Sequence, residues 1–202
     1  MIIMSDNAAT NLAIDHLGLE NIDHRMAGLG LHNTYLYKKV FTPVAPGTVM
    51  PEDQKRFGLG KTTTHEMVTL MTKIVRCELA EPGTTSRPGD QALCDAASTM
   101  LHLQFYRSSV PRYLESLPGA DSSSIANKTG ALDAVRADVA AISTRNGMVI
   151  LSIFTFENKD HSWGVDQQGE LTIAKLARTV IDAWSPQGLA PWPASPAATP
   201  KP

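Results

Sequence analysis

The apolar positions of this chain keep a helical period in its first half and change character after Gly119. Ala9, Leu12, Ala13 and Leu17 fall at helical spacing behind Ser5-Asp6-Asn7, and Gly18 offers a stop. A serine before such a stripe caps free N–H groups through its hydroxyl, and Asp6 suits the positive end of the helix dipole. A second short helix is predicted from Asn21 to Ala27. Residues 29–62, rich in Gly, Pro and Thr, predict a long irregular segment of the kind that often carries function. Behind Thr62-Thr63-Thr64, the stripe Met67, Leu70, Met71, Ile74 and Val75 predicts a helix with Glu66 in its first turns. Residues 81–90 predict a turn region. Leu93, Ala97, Met100 and Leu101 predict a further helix ending near Gln104, and Pro111 to Leu117 a short helical turn.

After Gly119 three strands are expected, Ile125 to Thr129, Ala134 to Ser143 and Met148 to Glu157. Arg145-Asn146-Gly147 between the last two is a hairpin signal, because Asn and Gly tolerate positive φ. The run Met148-Val149-Ile150-Leu151-Ser152-Ile153-Phe154 is apolar on both faces and predicts a central strand covered on both sides. Ile173, Leu176, Ala177, Val180, Ile181 and Trp184 mark a last helix from about Glu170 to Trp184. The layout is α+β: three antiparallel strands, a terminal helix on one sheet face and the other helices on the second. Residues 1–184 form the domain. The stretch 185–202, with six prolines in eighteen residues, is expected to be a flexible or loosely draped tail.

Composition narrows the function classes. The chain has 202 residues, 43% hydrophobic and 19% charged, and a net charge of −2 from 18 basic and 20 acidic residues. Its Lys and Arg are scattered, which argues against nucleic acid as a partner. No apolar run reaches membrane-spanning length, and Met1-Ile2-Ile3-Met4 is too short for a secretory leader. Cys77 and Cys94 fit neither a disulfide framework nor a zinc pattern. They read as two buried thiols, with a single bridge between neighbouring helices as the other reading. The six histidines show no ligand spacing, so no metal and no cofactor is expected. Phe57-Gly58-Leu59-Gly60-Lys61-Thr62 lacks the first glycine and the preceding strand of a phosphate loop.

Two tripeptides carry chemistry. Lys128-Thr129-Gly130 lies toward the end of a strand, where an ammonium and a hydroxyl can hold a substrate carboxylate and glycine lets a flat ligand approach the backbone. Ser5-Asp6-Asn7 opens the first helix. Neither is specific alone; in this order, with helices between them and a hairpin after the second, they are.

Together they resemble the serine beta-lactamase and penicillin-binding-protein superfamily, in its class A beta-lactamase-like branch, whose signature is Ser-x-x-Lys, Ser-Asp-Asn and Lys-Thr-Gly. Ser5-Asp6-Asn7-Ala8-Ala9-Thr10-Asn11 matches the second motif and its helix. Lys128-Thr129-Gly130, with Val135-Arg136-Ala137-Asp138 on the next strand, matches the third, and Thr62-Thr63-Thr64-His65-Glu66-Met67 resembles the threonine-rich start of a helix. The likeness runs from Ser5 to about Trp184. It implies acyl transfer on a beta-lactam or a related amide or ester, with Ser5 shuttling a proton to the leaving nitrogen and Lys128 sustaining the proton network. It also implies Asn7 on the substrate's side-chain amide, Thr129 and Gly130 at the substrate carboxylate, and Arg136 as a further anion holder. Such proteins are bacterial, tied to antibiotic resistance, and usually exported.

Two departures shape the expectation. Only Met1 to Met4 precede Ser5, and no Ser-x-x-Lys occurs anywhere, so the nucleophile and the first helix and strands of the fold have no residues here. The irregular segment contains Thr34-Tyr35-Leu36-Tyr37-Lys38-Lys39 rather than Glu-x-x-Leu-Asn, and its carboxylates, Glu52 and Asp53, sit in a solvent-like context. An N-terminally incomplete domain, impaired or inactive as this chain, is therefore expected. The alternatives are a ligand-binding pseudoenzyme, or an ester or peptide hydrolase of the penicillin-binding-protein type. A sheet lacking its outer strands also has an edge open to pairing with a second copy.

Overall fold

Asp6, one residue beyond the predicted cap, starts the first helix: its carboxylate accepts from the Ala9 N–H at 2.6 Å. In this computed structural model, which describes residues 1–50, 52, 58–80 and 90–193, that shift leaves the Ser5 hydroxyl free for another partner. Helix α1 runs Asn7–Leu17 and α2 Leu19–Gly28, joined at Gly18 with φ +82. The predicted apolar stripe of α1 is largely outside the core. Leu12 and Leu17 are exposed, and Ile14 is the buried residue of the helix.

In its described residues the irregular segment is as expected apart from one two-residue ladder, β1 (Tyr35–Leu36) against β2 (Gly60–Lys61). Gly60 is required there, since a Cβ would lie 2.2 Å from the Tyr35 carbonyl oxygen. Asp53 and residues 81–89 of the predicted turn lie outside the described residues, and Glu52 is exposed. Helix α3 (Thr64–Arg76) is capped by Thr63, which accepts from the Glu66 N–H at 3.1 Å. Helix α4 (Asp90–His102) follows, with Cys94 and Leu101 inward while Leu93 and Met100 are exposed. Cys77, in left-handed geometry at the end of α3, is disulfide-bonded to Cys94 with a Cα–Cα distance of 5.5 Å. The reading as two free thiols is thus corrected: packing of α3 against α4 supplies a juxtaposition that sequence spacing does not reveal.

A short 3-10 helix (Val110–Tyr113) leads into strands β3 (Ile125–Leu132), β4 (Val135–Thr144) and β5 (Gly147–Thr155), antiparallel in the order β3-β4-β5. The hairpin turns at Arg145-Asn146, in the register Thr144↔Gly147, with the positive φ at Gly147. Helix α5 (Gln168–Trp184) covers one face; Ile173, Ala177 and Ile181 pack with Val110, Leu114, Ile125, Ala140, Ile142 and Leu189. Leu176, Val180 and Trp184 of its predicted stripe stay exposed. Helices α3 and α4 cover the other face through Met71 and Leu101 against Ala126 and Ala141.

The structure departs from expectation in two ways, in strand order and in the tail. The apolar run of β5 is covered on both faces, by Val149, Leu151 and Ile153 on one side and Met148 and Ile150 on the other. The central place, however, belongs to β4, and β5 pairs on one side only among the described residues. The expected loose tail fails for residues 185–193. Leu189 is 0% exposed, bridges Thr144 and donates its N–H to the Pro118 carbonyl, while Trp192 stands edge-on to His102. Proline does not prevent docking when the remaining N–H groups find acceptors. Residues 194–202 lie outside the described ones. Among the described residues no helix is long and apolar enough to cross a membrane.

Candidate active site

Among the described residues strand β3 pairs with β4 alone, and its other edge faces the start of α1. Lys128 reaches across that gap. Its ammonium donates to Ser5 Oγ, 123 residues away in sequence, and to the Thr129 carbonyl at 2.6 Å. Ser5 meets it because the residue has φ +50, a left-handed turn immediately before the helix, and because capping has passed to Asp6. Burial lowers the Lys128 ammonium below its ordinary value, while Asp138 pulls the other way. A lysine so placed gives up a proton more readily than one in water, and its neighbour is a hydroxyl able to relay it.

Asn7, the first residue of α1, is exposed beside Ser5. Thr129 is half-buried and Gly130 exposed on the edge strand. A Cβ on Gly130 would meet only Ala137, at an ordinary 3.8 Å. The structure therefore brings Ser5 and Lys128 into contact, sets Thr129 and Gly130 next along the strand, and leaves Asn7 open to solvent at the helix start.

Arg136 is the exception, and its expected role as an anion holder is corrected. It is 2% exposed, and its guanidinium donates to the carbonyls of Leu132, Val135 (2.8 Å) and Ser162 (2.6 Å). It also approaches Glu170 at 3.6 Å and lies 4.8 Å from the Trp163 ring centroid. Its donors are spent on closing the β3–β4 hairpin and holding the segment before α5. Reading the strand alternation cannot show this, because Ser162, Trp163 and Glu170 arrive from a distant stretch of chain.

Beneath Lys128 lies a buried polar group that motif reading passed over. Asp138 is fully buried and accepts from Ser109 Oγ (2.7 Å), the Val110 N–H (3.0 Å) and Asn127 Nδ2 (3.1 and 3.2 Å). Arg107 donates in turn to Asn127 Oδ1 at 3.2 Å. Burial pushes the Asp138 carboxyl up to about 6, against the pull of these donors and of Lys128.

The irregular segment is tied to the helices by two clamps. Glu66 accepts from the Asn33 N–H (2.8 Å), Asn33 Nδ2 (2.9 Å) and Thr34 Oγ1 (2.5 Å). Burial works to raise this carboxyl, but the donors from Thr34 and Asn33, with His32 nearby, outweigh it and hold it below the ordinary value. Asn11, one turn after Asn7, grips Val40 from both sides, donating to its carbonyl at 3.0 Å and accepting from its N–H at 2.8 Å. The clue to Asn11 was present in the sequence as a poor helix former placed inside a helix.

The chain is similar to known proteins. A family model described as the Beta-lactamase enzyme family matches residues 1–184. Among solved structures, the chain is similar to a beta-lactamase from Sphaerobacter thermophilus, at 26% identity and TM-score 0.64, covering 89% of this chain and 58% of that one. A variant of PBP-A, solved as an acyl-enzyme complex with penicillin G, matches at 24% identity and TM-score 0.62, over 91% of this chain and 58% of that one. TLA-3 extended-spectrum beta-lactamase shares the fold at 18% identity and TM-score 0.63, over 89% and 60%. The chain thus spans less than two thirds of each of these structures. No curated protein matches it.

Proposed function

This chain belongs to the beta-lactamase enzyme family, and from that premise we propose that its edge-strand cleft binds a beta-lactam or a related acyl compound bearing a carboxylate. The observation that carries the reading is the contact of Lys128 Nζ with Ser5 Oγ, formed between residues 123 positions apart. In an acyl transfer at this cleft the Ser5 hydroxyl would give a proton to the leaving amide nitrogen and Lys128 would resupply it. Thr129 Oγ1 and the open backbone at Gly130 take the substrate carboxylate, and Asn7 takes the side-chain amide. The 202-residue sequence contains no Ser-x-x-Lys, so in this reading the acylating serine is not among its residues and the cleft binds without covalent turnover.

A second reading has its own observation. The loop position that Asn11 holds beside α1 is Val40, an apolar residue. Among the described residues no carboxylate stands there to activate water, which favours a penicillin-binding type of protein over a rapid hydrolase.

A thermal-shift titration of the 202-residue chain with benzylpenicillin tests the proposal. Ligand at ten times Kd adds about 1.4 kcal/mol of stability, so a shift of several degrees is expected at millimolar concentration, lost in Lys128→Ala and Thr129→Ala. No shift at millimolar benzylpenicillin sinks the reading. Hydrolysis of a chromogenic cephalosporin that disappears with Ser5→Ala overturns the claim that turnover is absent.

A further inference from the structure

Gln104 is a buried polar side chain that belongs to neither motif. It stands just past the end of α4, is 3% exposed, and has both ends of its amide engaged. Nε2 donates to the Ile2 carbonyl at 3.0 Å, across 102 positions of sequence, and Oε1 accepts from the Tyr106 N–H at 3.1 Å. These partners fix the orientation of the amide, since a carbonyl only accepts and an N–H only donates.

The two bonds join the two sides of the cleft. On the helical side, the Asp6 N–H donates to the Met1 carbonyl at 3.3 Å and closes a turn, and Ser5 sits in that turn at φ +50. The turn is held at two successive carbonyls, Ile2 by Gln104 and Ile3 by the Phe105 N–H at 3.0 Å. One tie would let the turn pivot, whereas two neighbouring ties set its direction. The Ile2 side chain also packs against the Met71–Ala126 cluster. On the strand side, the Tyr106 carbonyl accepts from Asn127 Nδ2 at 3.4 Å. Arg107 donates to Asn127 Oδ1 at 3.2 Å and to the Ile125 carbonyl at 3.3 Å, and is itself anchored on Glu115 at 2.7 Å. Asn127 immediately precedes Lys128 on β3. Residues 104–107 are thus a strap whose beginning holds the turn of Ser5 and whose end holds the strand of Lys128.

We propose that Gln104 is a positioning residue of the cleft, setting the Ser5 hydroxyl against the Lys128 ammonium by fixing the turn before α1 to the strap that crosses onto β3. This rests on the reading of the cleft given above. Ser5 and Lys128 come from segments that share no ladder, so their meeting depends on ties of this kind. Gln104 acts through Ser5 and touches no ligand.

In the full chain, Gln104→Met keeps the length of the side chain and removes both amide bonds. Ser5 then leaves Lys128, and an ammonium that loses an acceptor holds its proton less firmly. The titration of Lys128, followed by NMR at its Cε, is expected to fall by about one unit, the worth of one hydrogen bond to a charged donor. Affinity for benzylpenicillin, measured by calorimetry, falls about fivefold. In a Ser5→Ala background Gln104→Met changes neither quantity further, because the two residues act as one unit. Ile181→Val, in the core on the α5 face, lowers Tm by about 3 °C and moves neither. If Gln104→Met does not fold, Gln104→Asn decides in its place: it keeps the amide but is one methylene too short for both bonds, and it moves both quantities in the same direction. A Lys128 titration equal to wild type in the folded Gln104 variant overturns the inference. So does a shift of the same size in the Ser5→Ala background or in Ile181→Val, and so does an unchanged benzylpenicillin affinity beside a shifted titration. Wild-type chain that binds no benzylpenicillin overturns the cleft reading, while the Lys128 titration still decides whether Gln104 places Ser5.

Discussion

The two sides of the cleft are built on different principles. On the strand side, β3, β4 and β5 form a continuous ladder, covered on both faces by core residues, and the polar group Asp138 sits inside it at 0% exposure. On the helical side, order comes from point ties between distant segments: Cys77–Cys94, Asn11 on Val40, and Glu66 on Asn33 and Thr34. The two carboxylates show the difference. Asp138 has neutral donors and a nearby lysine, yet burial dominates and its pKa rises to about 6. Glu66 lies at the seam between loop and helix, where its donors outweigh burial and its pKa falls. Asp138 in the sheet thus keeps its proton to a higher pH than an exposed acid does, whereas Glu66 at the loop seam is held as an anion and works as a latch.

If point ties hold the helical side, cutting one has a large effect. Glu66→Ala leaves three donors of Asn33 and Thr34 without their acceptor. It is expected to cost about 4 kcal/mol, in the range for breaking a buried charged hydrogen-bond group. A urea melt within 1 kcal/mol of wild type, about the error of the method, shows that the seam is held by something else. Reducing Cys77–Cys94, which spans 17 residues, is expected to cost about 3 kcal/mol by the loop-closure argument. The check is a melt with and without a thiol reductant, and coincident curves count against a stabilising role.

The strand side responds through pH. Asp138 has a folded pKa above its ordinary 3.8. The native state holds a proton that the unfolded chain releases between about pH 4 and 6, so this group's contribution is complete at low pH and is lost as pH rises through about 6. The raised value corresponds to at most about 3 kcal/mol. Asp138→Asn is expected to flatten the stability profile by about 2 kcal/mol over that window. Glu66, lowered from 4.5, has the opposite sign: its contribution is present above that value and is lost as pH falls through its folded pKa. Profiles of wild type and Asp138→Asn that run parallel from pH 4 to 7, about the span of the two transitions, would erase the contrast between the two acids.

Much of the fold was legible from local pattern. Strands predicted at 125–129, 134–143 and 148–157 formed as Ile125–Leu132, Val135–Thr144 and Gly147–Thr155. The helix behind Thr63 formed because its cap and apolar stripe are both local. Legibility failed where the deciding partner is distant. The six prolines after Ser185 suggested a loose tail, but Pro118 and Thr144 provide a place for Leu189. An apolar run suggested that β5 is central, but strand order is set by which ladders form, and β4 took that place. A polar seam such as Glu66 looked like an ordinary first-turn acid, because the donors that claim it lie more than thirty positions away.

By itself, the sequence determined the periods, caps, turns and the two motifs, since each depends on neighbours a few residues apart. Tertiary structure alone decided what those residues are free to do. Lys128 and Arg136 are both cations on adjacent strands, and on sequence alone both are candidates to meet a ligand's charge. Folding gives Lys128 a hydroxyl across an open edge. It gives Arg136 the carbonyls of Leu132, Val135 and Ser162 and the face of Trp163. A side chain's donors are finite, so whether a charge serves a ligand or the fold depends on which partners the chain brings within reach.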